Sequence, residues 1–300
     1  MDYMFYNCSS LLSINISNFN TSNVKSLRSL FYNCSSLISL DVSNFDTSSV
    51  TIMEHTFYGC SNLLSLNLSN FNTTKVKSLK SFLYNCHKLT SINLSNFDTS
   101  SVIDMSFLFY GCSSLSSIDI TNFNTSSVGS LLCLFYECNK LTSLDVSNFD
   151  TSSVTDMSFL FYGCTKITSL NLLNMNTSLV KDMQALFYNC QKLESIDITN
   201  FDTSLVTSIG WMFYQCLSIK SIKFPEIFNT SKVGLTKSMF YKCRTLISLN
   251  LSSFDISKVT DMDYMFYDCN KLKYLDISNF SPLKINRMFA MFYHMLSLIF

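Results

Sequence analysis

Cysteine returns along this chain at residues 8, 34, 60, 86, 112, 138, 164, 190 and 216, then at 243 and 269, so that all but one interval is 26 residues. A tyrosine stands two residues before each of them, from Tyr6 and Tyr32 to Tyr267, and Tyr293 with Met295 continues the series. Self-similarity at such a period is the signature of a stacked repeat array, in which one unit cannot bury its own apolar face and must lie on its neighbours. With 47% hydrophobic residues there is ample material for the shared core. The expectation is therefore a single array over residues 1–300, of about 11–12 units of 26 residues.

The unit that starts at Cys138 serves as template. Leu141, Leu144 and Val146 followed by Phe149 give LxxLxLxxF, whose alternation predicts a short strand. Val154, Met157, Phe161 and Cys164 then fall at offsets that share one face of a helix, with Asp150, Thr151 and Ser152 as N-cap residues and Ser153 with Asp156 as a capping box. The reading is an α/β leucine-rich-repeat solenoid: a curved parallel sheet of short strands on the concave side and short helices on the convex side.

The blocks LxxLxLxxF, (D/N)TSxVxxM and (M/L)FYxC resemble the cysteine-containing leucine-rich repeats of BspA-like surface proteins, including the DUF285 family. The resemblance covers essentially the whole chain and implies a surface adhesin or interaction protein. Phe19, Phe45, Phe71, Phe97, Phe123, Phe149 and Phe201 stand where other leucine-rich repeats carry an asparagine ladder, which leaves the hydrogen bonding of that corner open.

Composition points away from several function classes. Twenty-one basic residues balance 21 acidic ones, so no charge steers the chain to nucleic acid or an anionic membrane, and no apolar run is long enough for a transmembrane helix. The opening MDYMFYNCSS lacks the charged and apolar regions of a signal peptide. His55, His87 and His294 lie at unrelated registers without HExxH, GxSxG, GxGxxG or a P-loop, so no enzyme, cofactor or metal is expected. The ladder cysteines read as buried thiols, since no CxxC cluster exists and an odd number cannot all pair. Cys133, outside the ladder at the register of Phe107 and Phe159, reads either as a more exposed, reactive thiol or simply as another packed side chain.

Serine recurs five residues after the cysteine, with Asn, Asp or Lys two residues later, which places a polar stripe on the concave face. Its candidate binding residues are Ser91, Asn93, Ser117, Asp119, Ser143, Asp145, Ser169, Asn171, Ser195 and Asp197, extended by Lys223 and Glu226 in an irregular unit around 222–233 that carries one extra residue and Pro225. A ladder that only keeps the sheet in register is the competing reading of the stripe. The residue before each TS pair alternates, Asn20, Asp46, Asn72, Asp98, Asn124, Asp150, Asn176, Asp202, Asn229, Asp255. The alternation suggests amides bridging neighbouring carboxylates, duplication of a block of about 52 residues, or both.

The expected function is a non-catalytic protein-interaction or adhesion scaffold at the cell surface, binding a protein or surface ligand; an intracellular structural or regulatory scaffold in the cytoplasm is the alternative, favoured by the unpaired cysteines. Both ends read as uncapped, the chain starting in mid-unit and finishing MFYHMLSLIF, which predicts end-to-end association or continuation of the array.

Overall fold

The computed structural model describes residues 1–280 and 285–298; the last two residues of MFYHMLSLIF lie outside them. One side of each rung is the LxxLxL segment. Among the described residues six short strands are formed there: β1 (Ser39–Leu40), β2 (Ser65–Leu66), β3 (Ser195–Asp197), β4 (Ser221–Lys223), β5 (Ser248–Asn250) and β6 (Tyr274–Asp276). They pair in parallel, one unit apart: Ser39 faces Ser65, Ser195 faces Ser221 and Ser248 faces Tyr274. The template residues Leu141, Leu144, Val146, Phe149, Val154, Met157, Phe161 and Cys164 are all buried.

The predicted helices do not form; the described residues contain none. In the template unit, Leu160 N–H donates to Met157 O (3.3 Å), Tyr162 to Phe159 O (3.2 Å) and Cys164 to Phe161 O (3.2 Å), which are successive turns closed over three residues. The alternate donors leave the unit: Phe159 N–H reaches Gln184 O (2.8 Å), Phe161 reaches Leu186 O (3.0 Å) and Gly163 reaches Tyr188 O (2.7 Å). Phe159 (φ 58°) and Gly163 (φ 71°) sit in the left-handed region, which no α-helix admits in its interior.

Hydrogen bonding decides against the helix. Every second N–H of the segment is spent on the next unit, and the left-handed residues between them let the chain turn again after each such link, so no run of donors remains for bonds within one helix. The turn ribbon fits the strand spacing. Its bridges run from Ser26 to Ile52 and onward, one per unit, to Asp261 and Arg287. The spacing offsets of the apolar residues are the same for a turn every three or four residues as for a helix, so both bury the same side chains.

Side chains complete the links between rungs. Buried Thr99 donates its hydroxyl to Asn124 O (2.9 Å) and accepts Asn124 N–H (2.7 Å). Thr47 makes the same pair with Asn72 (2.9 and 2.7 Å). The corner asparagine is present after all, one residue before the phenylalanine: Asn148 Nδ2 donates to Ile120 O (3.1 Å) and Phe123 O (2.8 Å), and Asn200 to Leu172 O (3.0 Å) and Met175 O (2.7 Å), all in the preceding unit. Phe123 and Phe149 themselves are core residues.

The cysteines do more than fill space. From Cys34 to Cys269 each ladder thiol donates to a main-chain carbonyl of the preceding unit, as Cys60 does to Phe31 O (3.2 Å) and Cys164 to Phe135 O (3.2 Å). All twelve cysteines are free, and all but Cys8 are buried. Burial pushes Cys34 up to about 11 and Cys112, Cys164 and Cys269 to about 12. Of the two readings of Cys133 the packed side chain holds: it is 6% exposed and burial raises it to about 12 as well. A thiol with a pKa near 11 is thiolate in about one molecule in 10⁴ at pH 7, and only the thiolate attacks. An aromatic disulfide reagent at neutral pH should therefore titrate one thiol quickly, Cys8, and the rest only at the rate of unfolding; prompt labelling of Cys133 would contradict this.

The Asn/Asp alternation has a different cause from amide bridging. Every member accepts the N–H two residues on, as in Ser126 to Asn124 Oδ1 (3.0 Å) and Ser152 to Asp150 Oδ1 (3.0 Å), a local turn that either residue type can make. Among the described residues none of these amides donates to a neighbouring carboxylate. Asn124→Asp should therefore lower stability by less than about 1 kcal/mol at low salt, and by still less near 1 M salt, where the screening length falls to about 3 Å. A larger loss that survives salt in urea titrations would restore the bridging explanation.

A second alternation gives the two-unit period a steric cause. Three residues before each tyrosine, at φ of 51–62°, aromatic and small residues alternate without exception: Tyr3, Ser29, His55, Ser81, Phe107, Cys133, Phe159, Ala185, Trp211, Ser238, Tyr264, Ala290. The aromatic rings lean across two rungs. Phe159 lies 6.5 Å from the Tyr136 ring of the preceding unit and 6.1 Å from Tyr162 of its own, and Phe107 lies 6.3 Å from Tyr84 and 6.1 Å from Tyr110. A ring that occupies two rung heights leaves room only for a small neighbour, so Ser81, Cys133 and Ala185 are buried beside them. Glycine repeats the device one column over. A Cβ on Gly111 (φ 69°) would collide with Asn85 Oδ1 of the rung before.

Candidate functional site

The polar stripe lies where the alternation puts it. Ser91, Asn93, Ser117, Asp119, Ser143, Asp145, Ser169, Asn171 and Ser195 are exposed, Asp197 is half-buried, and Lys223 and Glu226 are exposed. Its Asn and Asp side chains have a local task. Asp119 Oδ1 accepts Thr121 N–H (3.1 Å) and Oγ1 (2.7 Å), Asp145 Oδ1 accepts Ser147 N–H (2.9 Å), and Asn93 Oδ1 accepts Ser95 N–H (3.0 Å), each turning the chain out of the strand segment. These bonds hold the carboxyls of Asp119 and Asp145 below their usual range, even though Asp145 pushes Asp119 the other way. One face of each carboxylate is thus committed to the fold.

Among the described residues, this side carries depressions on the scale of a ligand group. Ser143, Asp145, Ser169 and Asn171 come together with Ile118 around a depression of about 430 Å³. The second region is built by the irregular unit. Pro225 cannot donate to a ladder, and β4, which pairs with β3, has no paired partner in β5. On the turn side Ser208 still faces Leu235, so the extra residue is absorbed entirely on the strand side. There Ile222, Phe224, Pro225 and Glu226 border a depression of about 420 Å³ with Asn250 and Ser253, and a neighbouring one of about 370 Å³ extends it to Tyr274 and Asp276. Beside it Ile227 is 78% exposed and Tyr274 60%. Lys223 Nζ pairs with Asp197 Oδ2 at 3.0 Å and Lys220 Nζ with Glu194 Oε2 at 2.7 Å, both in exposed positions where solvent screens the attraction. Lys223 and Thr199 hold Asp197 below the usual carboxylate range, the Thr199 hydroxyl contributing most.

The structure thus brings Lys223 beside Asp197 and Glu226 beside Pro225, and keeps Ser91 and Asn93 as separate members of a row. Sequence reading missed Tyr274, Ile227 and Phe224. The available signal for Tyr274 is that it ends the run of serines at that register. No group of three or more His, Cys, Asp or Glu among the described residues could hold a metal ion, and no helix is long and apolar enough to cross a membrane.

A family described as "Mycoplasma protein of unknown function, DUF285" matches residues 1–117, 64–144, 130–245 and 219–298. The chain belongs to the DUF285 family. Among solved structures, this DUF285 chain is similar to a leucine-rich repeat protein from Bacteroides ovatus (18% identity, 93% of this chain and 78% of that one, TM-score 0.35). It is also similar to a leucine rich cell surface protein from Faecalibacterium prausnitzii (20%, 92% and 75%, TM-score 0.36). A leucine-rich repeat protein from Eubacterium ventriosum is similar at 18% identity over 90% of this chain and 71% of that one, TM-score 0.39. No curated protein matches the DUF285 chain.

Proposed function

We propose that this DUF285 chain is a non-catalytic interaction or adhesion scaffold at the cell surface, whose strand side binds a protein partner at the irregular unit. The observation that carries the reading is the depression beside Pro225, where exposed Ile227 and Tyr274 flank Glu226 and Lys223 on an otherwise repetitive face. A row of identical Ser and Asx side chains offers every rung the same contacts; a partner gains a unique register only where the row changes. Aromatic and aliphatic anchors in a shallow pocket with a polar rim are the usual centres of binding energy.

Buried, un-ionised thiols remove the main objection to an oxidising exterior, since they are protected without being paired. Proteolytic shaving of intact cells, with loss of the chain and retention of a cytoplasmic marker, supports surface display; full protection favours the cytoplasmic reading. For the binding face, the chain is measured by interferometry against a panel of extracellular proteins. With any partner found, Ile227→Lys with Tyr274→Ala should weaken binding at least about tenfold, equivalent to about 1.4 kcal/mol, while Asn93→Ala leaves it unchanged. Equal affinity of both variants would remove the irregular unit from the interface.

A further inference from the structure

The trough beside the irregular unit carries charge of one sign. Its two depressions share Ser248, Leu249 and Asn250 of β5, so they run on from the Pro225 side to β6. Half-buried Ile222 and Phe224 give it an apolar lining, and a carboxylate stands on each outer rung, Glu226 at one end and Asp276 at the other. The ion pairs on this stretch of the chain, Lys220 with Glu194, Lys223 with Asp197 and Arg244 with Asp268, leave both carboxylates out. Among the described residues no cation lines either depression. Lys223 belongs to the bordering strand β4, but Asp197 holds its ammonium on the β3 side at 3.0 Å. Lys273, which precedes Tyr274, is in neither lining.

Strand β6 selects the kind of cation. Tyr274 and Asp276 are its two exposed positions, with Leu275 turned inward between them, so ring and carboxylate project from one face. The ring is 60% exposed. Asp276 Oδ1 accepts Ser278 N–H (3.0 Å), which leaves Oδ2 open. Bonds from the Ser278 main chain and hydroxyl hold this carboxyl below its usual range, so it is charged at neutral pH. A planar guanidinium stacks on an aromatic face and forks to a carboxylate, whereas an ammonium is a point charge without that flat face.

We propose that the trough recognises a cationic segment of the partner protein: an arginine on Tyr274 and Asp276, an apolar side chain on Ile222 and Phe224, and a second basic residue at Glu226. The inference rests on the strand-side reading above and adds the partner's chemistry to it. Complementary charge of this kind sets which partners are admitted, because an acidic segment meets two unpaired carboxylates.

The test exposes the immobilised full chain to a displayed library of random peptides, so that no partner is assumed. Enriched sequences should carry basic residues, arginine foremost, on either side of an apolar one. A synthetic peptide of the enriched sequence should bind Asp276→Asn at least about tenfold more weakly than the unaltered chain. Asparagine keeps the local turn, as Asn250 Oδ1 does for Ser252 N–H (2.9 Å) one rung earlier, so the fold is retained. Citrulline in place of the peptide's arginine keeps the shape and removes the charge; it should weaken binding to the unaltered chain and abolish the difference between that chain and Asp276→Asn. Enrichment of neutral or acidic sequences overturns the proposal, as does a citrulline peptide bound as tightly as the arginine one. If such non-basic peptides still lose binding to Ile227→Lys with Tyr274→Ala, the strand-side reading stands and only the charge inference falls. Enriched peptides indifferent to all of these substitutions remove both.

Discussion

Thr99→Val should lower the free energy of unfolding by about 3 kcal/mol, whereas the same change at Thr203 should be neutral or slightly stabilising. Valine keeps the shape of threonine and removes only the hydroxyl. At Thr99, which is fully buried, that hydroxyl serves both the N–H and the C=O of Asn124, and each main-chain group left unsatisfied costs about 1–3 kcal/mol. Thr203 occupies the same register one unit before the insertion. Its buried hydroxyl has no hydrogen-bond partner among the described residues, so valine there replaces an unsatisfied polar group with a methyl. Urea denaturation of the two variants checks the contrast; equal losses would mean that the hydroxyls act through the side-chain conformation rather than as links between rungs.

Ala185→Phe should cost about 3 kcal/mol, at the upper end for overpacking, although phenylalanine stands at the same register in the units on either side of Cys133. Ala185 is 1% exposed, and a ring there has to lean over Tyr162, a position taken by Phe159 at 6.1 Å. The companion measurement is the double variant Phe159→Ala with Ala185→Phe, which vacates that place and should recover at least about 1 kcal/mol relative to Ala185→Phe alone. Strict additivity of the two changes would show that the rings do not compete.

These expectations indicate which parts of the fold could be read from the sequence. The core column was legible, because Leu141, Leu144, Val146 and Phe149 obey a strand pattern and Val154, Met157, Phe161 and Cys164 face inward under a helix or a turn ribbon alike. The helix itself was the error. The contrary signal is the Asn or Gly before the cysteine, as at Asn33, Gly59, Asn85 and Gly111, residue types that tolerate the positive φ these positions adopt. The asparagine ladder was hidden by a shift of one residue, Asn148 beside Phe149. Of the candidate site, exposure of the stripe and the break at Pro225 follow from residue type, since proline cannot join a ladder. The meeting of Glu226 with Asn250 and Ser253 does not, because it depends on which rung lies next to the absorbed extra residue.

The ring that leans over two rungs also has a mechanical consequence. Removing one rung exposes an aromatic whose support lay on the next, so under tension the array should yield in pairs of rungs rather than singly. A pair holds two 26-residue units, and 52 residues pulled out at about 3.4 Å each lengthen the tether by roughly 18 nm. Single-molecule stretching with a force-extension record would show sawtooth steps near that length, and steps of half the size would mean that each rung bears load alone.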